Sequence, residues 1–463
     1  MATIETDYLV IGAGALGMAF VDALIDVAET DVVLVDRRHQ PGGHWNDAYP
    51  FVRLHQPSAC YGVNSMPLGN DNIETTGPEA GCYERATAAE VCDYYDRVLR
   101  RRLLPSGRVR FYPMSNYVGE RNGKHLFTSR LHGRETAVHV RRRFVDATWM
   151  EGAVPATHVP SFGAHPDTRL VSPTGLTRLS EAGSGYTLLG GGKTAMDTCV
   201  WLLDQGVEPA RIRWIRPRDS WLIDRRCLQP LGELPAFLDW LSANVEAAAR
   251  AESADDLFRR LDDAGLLRRL DPDVLPAMFR GAIVGDQELR ALRSIDNVVR
   301  LGRVEYVEPG RLVLEQGEVR ADRDEVYVDC TAQGIRKRSV RPVFEPDRIT
   351  LQAVRYGMLP FSAALIGYLE ATRDDDTERN RLCPPNPLTD AAHDWIPALR
   401  IMLTADSRWS QEEDLQEWLH NSRLNIGRGL QDHLDNPTVQ TALGRMARYQ
   451  ETAVTNLGRL VYR

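Results

Sequence analysis

The chain has 463 residues, 43% of them apolar, with 56 basic against 64 acidic side chains and a formal net charge of -8. That length exceeds one typical domain of roughly 100 to 200 residues, so two or more units are expected. The acidic balance excludes the broad basic face that nucleic acid demands, and no apolar run is long enough to span a bilayer.

The uncharged stretch from Tyr8 to Val21 reads as the start of a fold and not as a signal peptide: Glu5 and Asp7 stand where a basic region belongs, and a glycine turn interrupts it. "DYLVIG" predicts a buried strand, "MAFVDALIDVA" a helix, and "DVVLVD" a second strand ending at Asp36. Gly12, Gly14 and Gly17 form GxGxxG between the first strand and the helix. Gly12 permits the tight turn, Gly14 lets backbone approach a pyrophosphate, and Gly17 lets helix and strand pack closely. The helix N-terminus offers unpaired N–H groups to phosphates, and Asp36 is placed to accept a ribose hydroxyl. Ala13, inside the turn, and Arg37, after the acid, complete this expected dinucleotide site. The basic runs at 97–110 and 140–145 read as a solvated helix face and the entry to a strand.

"GYTLLGGG" at 185–192 repeats the pattern, with Gly190 and Gly192 as the first two glycines and Ala195 at the third position. Its following strand, "RIRWIRPR", ends with Arg216 and Arg218 where the first unit has an acid. A guanidinium there can grip a 2′-phosphate that an acid would repel, so this site is expected to take NADPH. Two dinucleotide sites imply a hydride source and a resident acceptor, and the acceptor is expected to be FAD.

Residues 228–300 carry helical spacing and predict an inserted helical segment, the candidate substrate lid. "LVLEQGEVRADRDEVYVDCT" returns to strands, and the tail from about Pro360 is largely helical. The start of "FSAALIGYLEAT" either aims a helix N-terminus at an anionic flavin or opens an ordinary core helix. The seven cysteines show no CxxC or zinc spacing and HExxH is absent, so no metal is expected and a reducing, cytoplasmic setting is. A dimer surface on the tail would look like any amphipathic helix, so oligomeric state stays open.

"DRRHQPGGHW" at 36–45, followed by "AYPFVRLHQPSACYGV", resembles the flavin-containing monooxygenase family, in which an acid ends the second strand and a GGxW segment lies against FAD. The resemblance continues through 86–119, is strong at "GGGKTAMD" and "IRPRDSWLIDR", and includes "VDATW" and "VDCTAQG" as the two crossings between domains. It covers most of residues 5–225 and a patch near 330. It implies that Gly12, Gly14, Gly17, Asp36, Gly43 and Trp45 hold FAD, with His44 beside them where the family usually has a small or apolar residue. It also implies that Gly190, Gly192, Thr194 and Arg216 hold NADPH, and that Thr148 and Thr331, with Ala332 next to it, lie at the crossings. Gln56 stands about where the family has a flavin-facing asparagine and is the candidate catalytic amide; a surface glutamine in a loop is the other reading. The implied fold is α/β, with two Rossmann-like domains: an FAD domain from 1–152 and 322–463, and an NADPH domain from 153–321 inserted between them.

One departure concerns the chemistry. The family's FxGxxxH signature would precede the second turn, yet "VPSFGAHPDTRL" has Phe162 and Gly163 adjacent and His165 two residues later. The leading expectation is an NADPH-dependent FAD monooxygenase that uses O2 and a C4a-peroxide of the flavin to oxygenate a small-molecule substrate. The alternatives are an NAD(P)H-dependent flavoprotein dehydrogenase or reductase without productive oxygen transfer, and a non-catalytic dinucleotide-fold binding protein. A disulfide reductase is disfavoured because neither glycine unit carries a close cysteine pair.

Overall fold

Two sheets whose four central parallel strands follow the same order carry the two glycine turns. The structure, a computed structural model, describes residues 3–335 and 337–461. In the first sheet Val109–Tyr112, Val32–Val35, Thr3–Ile11, Glu135–Asp146 and Arg348–Thr350 lie side by side in parallel. In the second the order is Val298–Val299, Ile212–Ile215, Tyr186–Leu189, Val326–Asp329 and Leu170–Val171. Each sheet is built outward from its glycine-bearing strand, and its fifth strand arrives from outside the strand–helix–strand unit. The central strands are buried on both faces, which is why Val32–Val35 and Tyr186–Leu189 read as apolar runs without alternation.

The inserted arrangement of the two units has a different boundary from the one predicted. Val326–Asp329, placed by the sequence in the returning half of the first unit, pairs with Tyr186–Leu189 and belongs to the second sheet. Being buried throughout and apolar up to its last residue, it fits a central parallel strand. The chain passes between units on a two-stranded ribbon in which Gly334 pairs with Ala153 and Ile335 with Gly152. A Cβ on Gly152 would stand 2.8 Å from the Gly334 carbonyl carbon, so the ribbon needs glycine there.

The segment 228–300 is helical in Leu234–Arg250, Ala254–Asp263 and Asp286–Arg293, but Met278–Val284 is a strand paired with Ser220–Asp224. It is also not a free-standing lid. Phe237, Trp240, Leu257 and Phe279 form one core with Trp395, Leu399, Ala453 and Leu457 of the tail, and Asn456 donates to the carbonyls of Ala248 and Ala251 at 2.8 and 2.7 Å. A segment cored by residues from the far end of the chain cannot open without breaking that core.

The helix Leu359–Thr372 is buried at every position from Pro360 to Glu370, as expected of a helix apolar on all sides. It packs on Ala15–Val27 so closely that a Cβ on Gly367 would lie 2.7 Å from the Phe20 carbonyl oxygen. Gly367→Ala is therefore expected to destabilise the fold by about 1 to 3 kcal/mol. An unchanged midpoint in urea denaturation would show that the two helices can part at no cost. Among the described residues no helix is long and apolar enough to cross a membrane.

Candidate functional site: two glycine turns and their crossings

In the first turn Gly12 has φ +106°, and its N–H donates to Val35 O at 2.8 Å. A Cβ there would meet Thr148 Cγ2 at 3.2 Å. At Gly17 a Cβ would lie 1.9 Å from Gly12 O, which no side chain can occupy. Gly14 is the N-cap of Ala15–Val27 and no side chain caps that helix, so its first N–H groups are left for a ligand. The GGxW segment closes over this turn: Gly42 N donates to Ala13 O at 2.9 Å, and a Cβ on Gly43 would lie 2.9 Å from Gly14 Cα. Asp36 is buried and receives Ala13 N at 2.6 Å and Arg38 N at 2.7 Å on separate oxygens. Each oxygen keeps acceptor capacity for a ribose hydroxyl.

The second turn repeats this geometry. Gly190 has φ +128°, donates to Ile215 O at 3.0 Å, and would drive a Cβ to 2.8 Å from Cys330 O. Gly192 caps Lys193–Asp204, again with no side-chain cap, and nothing lies within 4 Å of where its Cβ would be. That open cradle and the unpaired N–H groups behind it fit a pyrophosphate. Thr194 sits half-buried in the first turn of this helix.

The crossings are duplicated too. Asp146 Oδ1 accepts Thr148 N and Oγ1 at 2.9 and 2.7 Å. Asp329 Oδ1 accepts Thr331 N and Oγ1 at 2.9 and 2.6 Å. Each aspartate ends the strand beside its glycine strand, Ile11 opposite Asp146 and Leu189 opposite Asp329. The second oxygens differ: Asp146 pairs with Arg348, and Asp329 with His158 Nε2 at 2.7 Å. Ala332 follows in the second crossing, half-buried.

Between the units Tyr49 Oη donates to Asp197 Oδ2 at 2.8 Å, and Phe51 stacks on Trp201 with centroids 4.7 Å apart. The loop carrying Gln56 is gripped by three buried arginines from different parts of the chain. Arg85 donates to Leu54 O at 2.9 Å, Arg225 to His55 O at 3.0 Å, and Arg423 to Tyr61 O and Val63 O at 2.8 and 3.1 Å. Arg225 also pairs with Glu79 at 2.7 Å and with Glu288. Burial alone would raise the Glu288 carboxyl, but Lys193, Arg225 and Arg85 pull it down to about 2. Burial, and then the Lys193 ammonium, lower His55 to about 4, so its imidazole is neutral at pH 7.

Several of the expected residues are engaged by other parts of the chain. Gln56 donates to Cys60 O at 3.0 Å within its own loop. Arg37 is exposed and pairs with Glu151. Trp45 is partly buried against the first unit's core and donates to Tyr61 Oη at 2.7 Å; His44, itself exposed, stacks on it. Arg216 occupies the second unit's equivalent of Asp36 but is buried, 4.8 Å over Trp214 and 3.0 Å from Asp219, and its side chain makes no hydrogen bond among the described residues. Arg218 is held on both nitrogens by Asp390 at 3.0 Å. His165 is half exposed beside Asp167. Sequence reasoning passed over Tyr49, His158, Arg225, Glu288 and Arg423, whose partners lie far along the chain. Lys193 and Asp197 did carry a signal, the i,i+4 spacing of opposite charges on a helix.

No family model matches the chain. It is similar in structure to a flavin-containing monooxygenase from Stenotrophomonas maltophilia, at 15% identity and TM-score 0.47 over 80% of this chain and 98% of that one. It is also similar to the polycyclic ketone monooxygenase of Thermothelomyces thermophila, at 13% identity and TM-score 0.49 over 97% and 90%. The bacillithiol disulfide reductase of Bacillus cereus matches at 11% identity and TM-score 0.44 over 80% and 98%. In sequence it is 47% identical over 425 residues to the uncharacterized protein Rv2000 of Mycobacterium tuberculosis and to Mb2023 of Mycobacterium bovis, covering 92% of this chain and 78% of each relative. The chain therefore belongs to the family of these mycobacterial proteins.

Proposed function

We propose that the chain is an FAD-dependent oxidoreductase that draws hydride from NADPH and, in the finer reading, uses oxygen to oxidise a small organic substrate. The duplicated turn and crossing carries this reading: one chain builds the same phosphate cradle twice, each wedged against its own Asp–Thr crossing. Bound FAD would supply a two-electron acceptor whose reduced form reacts with oxygen. The first turn would bind its pyrophosphate on the N-terminus of Ala15–Val27, and Asp36 would orient its ribose. The second turn would bind the nicotinamide dinucleotide at Gly192. The loop Leu54–Val63, pinned through its carbonyls, would keep its shape while nucleotides exchange. Tyr49, Phe51 and their partners would exclude water from the seam between the units.

The test is to add NADPH to the flavin-reconstituted protein without oxygen, then admit air and follow flavin absorption, oxygen uptake and hydrogen peroxide. The expected result is bleaching by NADPH and oxygen uptake on aeration. Protein that takes up no flavin on reconstitution would defeat the reading at its first step. A reductase without productive oxygen transfer is the second reading, supported by the exposed position of His165. It would show as bleaching with every consumed oxygen recovered as peroxide, whatever substrate is offered. Disulfide chemistry gains no support from Cys199 and Cys330, whose thiols burial raises well above their ordinary value.

A further inference from the structure

The second turn carries a cation that the reading above leaves idle. Lys193 directly follows Gly192 as the first residue of its helix, so its side chain springs from the uncapped N-terminus. That side chain is 10% exposed, and its ammonium is shared between Asp197, one turn along, and Glu288 at 3.8 Å. Asp197 is held independently by the Tyr49 hydroxyl, and Glu288 by Arg225 and by Gly285 N at 2.7 Å. Neither carboxylate therefore depends on Lys193 alone.

We propose that Lys193 is a pyrophosphate-binding residue of the second turn, kept in reserve by Asp197 and transferred to the dinucleotide when it docks. The proposal rests on the reading of that turn as a nicotinamide dinucleotide site. A pyrophosphate brings about two negative charges, whereas a helix N-terminus offers roughly half an elementary charge. A mobile point charge would offset part of that shortfall, and a lysine on its four-carbon stem supplies one. The neighbouring arginines are poorly suited to that task. Arg216 is buried over Trp214 against Asp219, and Arg218 is clamped by Asp390. Gly192, with nothing near its missing Cβ, leaves the approach to the turn open beside Lys193. Asp197 then competes with the nucleotide for one cation, and removing its charge should favour the nucleotide.

The experiment is calorimetric titration of the flavin-reconstituted protein with NADP+ and with NAD+, which bind without reducing the flavin. Lys193→Met is expected to weaken both by about tenfold or more, and by the same factor, because the pyrophosphate is common to them. Asp197→Asn keeps an acceptor for Tyr49 while losing the charge, and is expected to tighten both several-fold. Wild-type protein that binds while Lys193→Met binds equally well, or Asp197→Asn that weakens binding, would overturn the assignment of Lys193 and leave the dinucleotide reading standing. Wild-type protein that binds neither nucleotide would overturn both.

Discussion

Gly17→Ala is expected to cost the fold about 3 kcal/mol or more, at the upper end of overpacking effects, and to abolish flavin retention. The added methyl would stand 1.9 Å from Gly12 O, so the turn or the helix must move by more than an ångström. The comparison with Gly192→Ala separates folding from binding. There the methyl meets nothing within 4 Å and the backbone is extended, with φ -90°. Its stability should therefore match wild type, while the methyl fills the space a pyrophosphate would use. Thermal melting together with flavin and NADP+ titration checks both variants. Normal flavin content in Gly17→Ala, or undiminished NADP+ binding in Gly192→Ala, would remove the cradle argument from that turn.

Arg225→Ala is expected to destabilise the protein by about 1.5 to 3 kcal/mol at pH 7, because it removes a shared counter-charge from two partly buried carboxylates, of which Glu79 keeps Arg85 and Glu288 keeps Lys193. Arg225 is 1% exposed, pairs with Glu79 and Glu288, and donates to His55 O. The effect should depend on pH with a definite sign. Glu288 is depressed from 4.5 to about 2 in the fold, so its contribution is complete above about pH 4.5 and is lost as pH falls through about 2. That shift corresponds to about 3 kcal/mol at neutral pH. The gap between wild type and variant should consequently narrow on acidification, as Glu288 becomes protonated and stops needing a counter-charge. Urea denaturation at pH 7 and pH 3.5 measures it. A gap that stays constant would mean that Arg225 acts by packing and by its bond to His55 O alone.

Both glycine units were legible because their logic is local. A strand, a turn that only glycine can make, and a helix within about 30 residues leave a pattern in neighbouring positions. Gly12, Gly17, Gly190 and Asp36 accordingly take the turn and strand-end positions that their types demand. The segment 228–300 was less legible. Its helices follow the 3.6-residue period, but Met278–Val284 is short and interrupted by Arg280 and Gly281, so it carries neither the alternation of a strand nor a turn signal of its own. The boundary at 322 missed by one strand for a similar reason: Val326–Asp329 is as apolar as a strand of either sheet, and only pairing assigns it to the second.

What the sequence by itself determined is that this chain folds two strand–glycine turn–helix units, since backbone conformation at a glycine turn depends on the residues beside it. Which charges remain for a ligand was decided by tertiary structure. Arg218 finds Asp390 at a separation of 172 residues, Arg225 finds Glu288 at 63, and Arg423 reaches Tyr61 across 362. An arginine written at a strand end looks the same whether it faces a phosphate or a carboxylate of its own chain. Folding decides between them, because a charge taken out of water must be paired and the partner is whichever group the packing brings within reach.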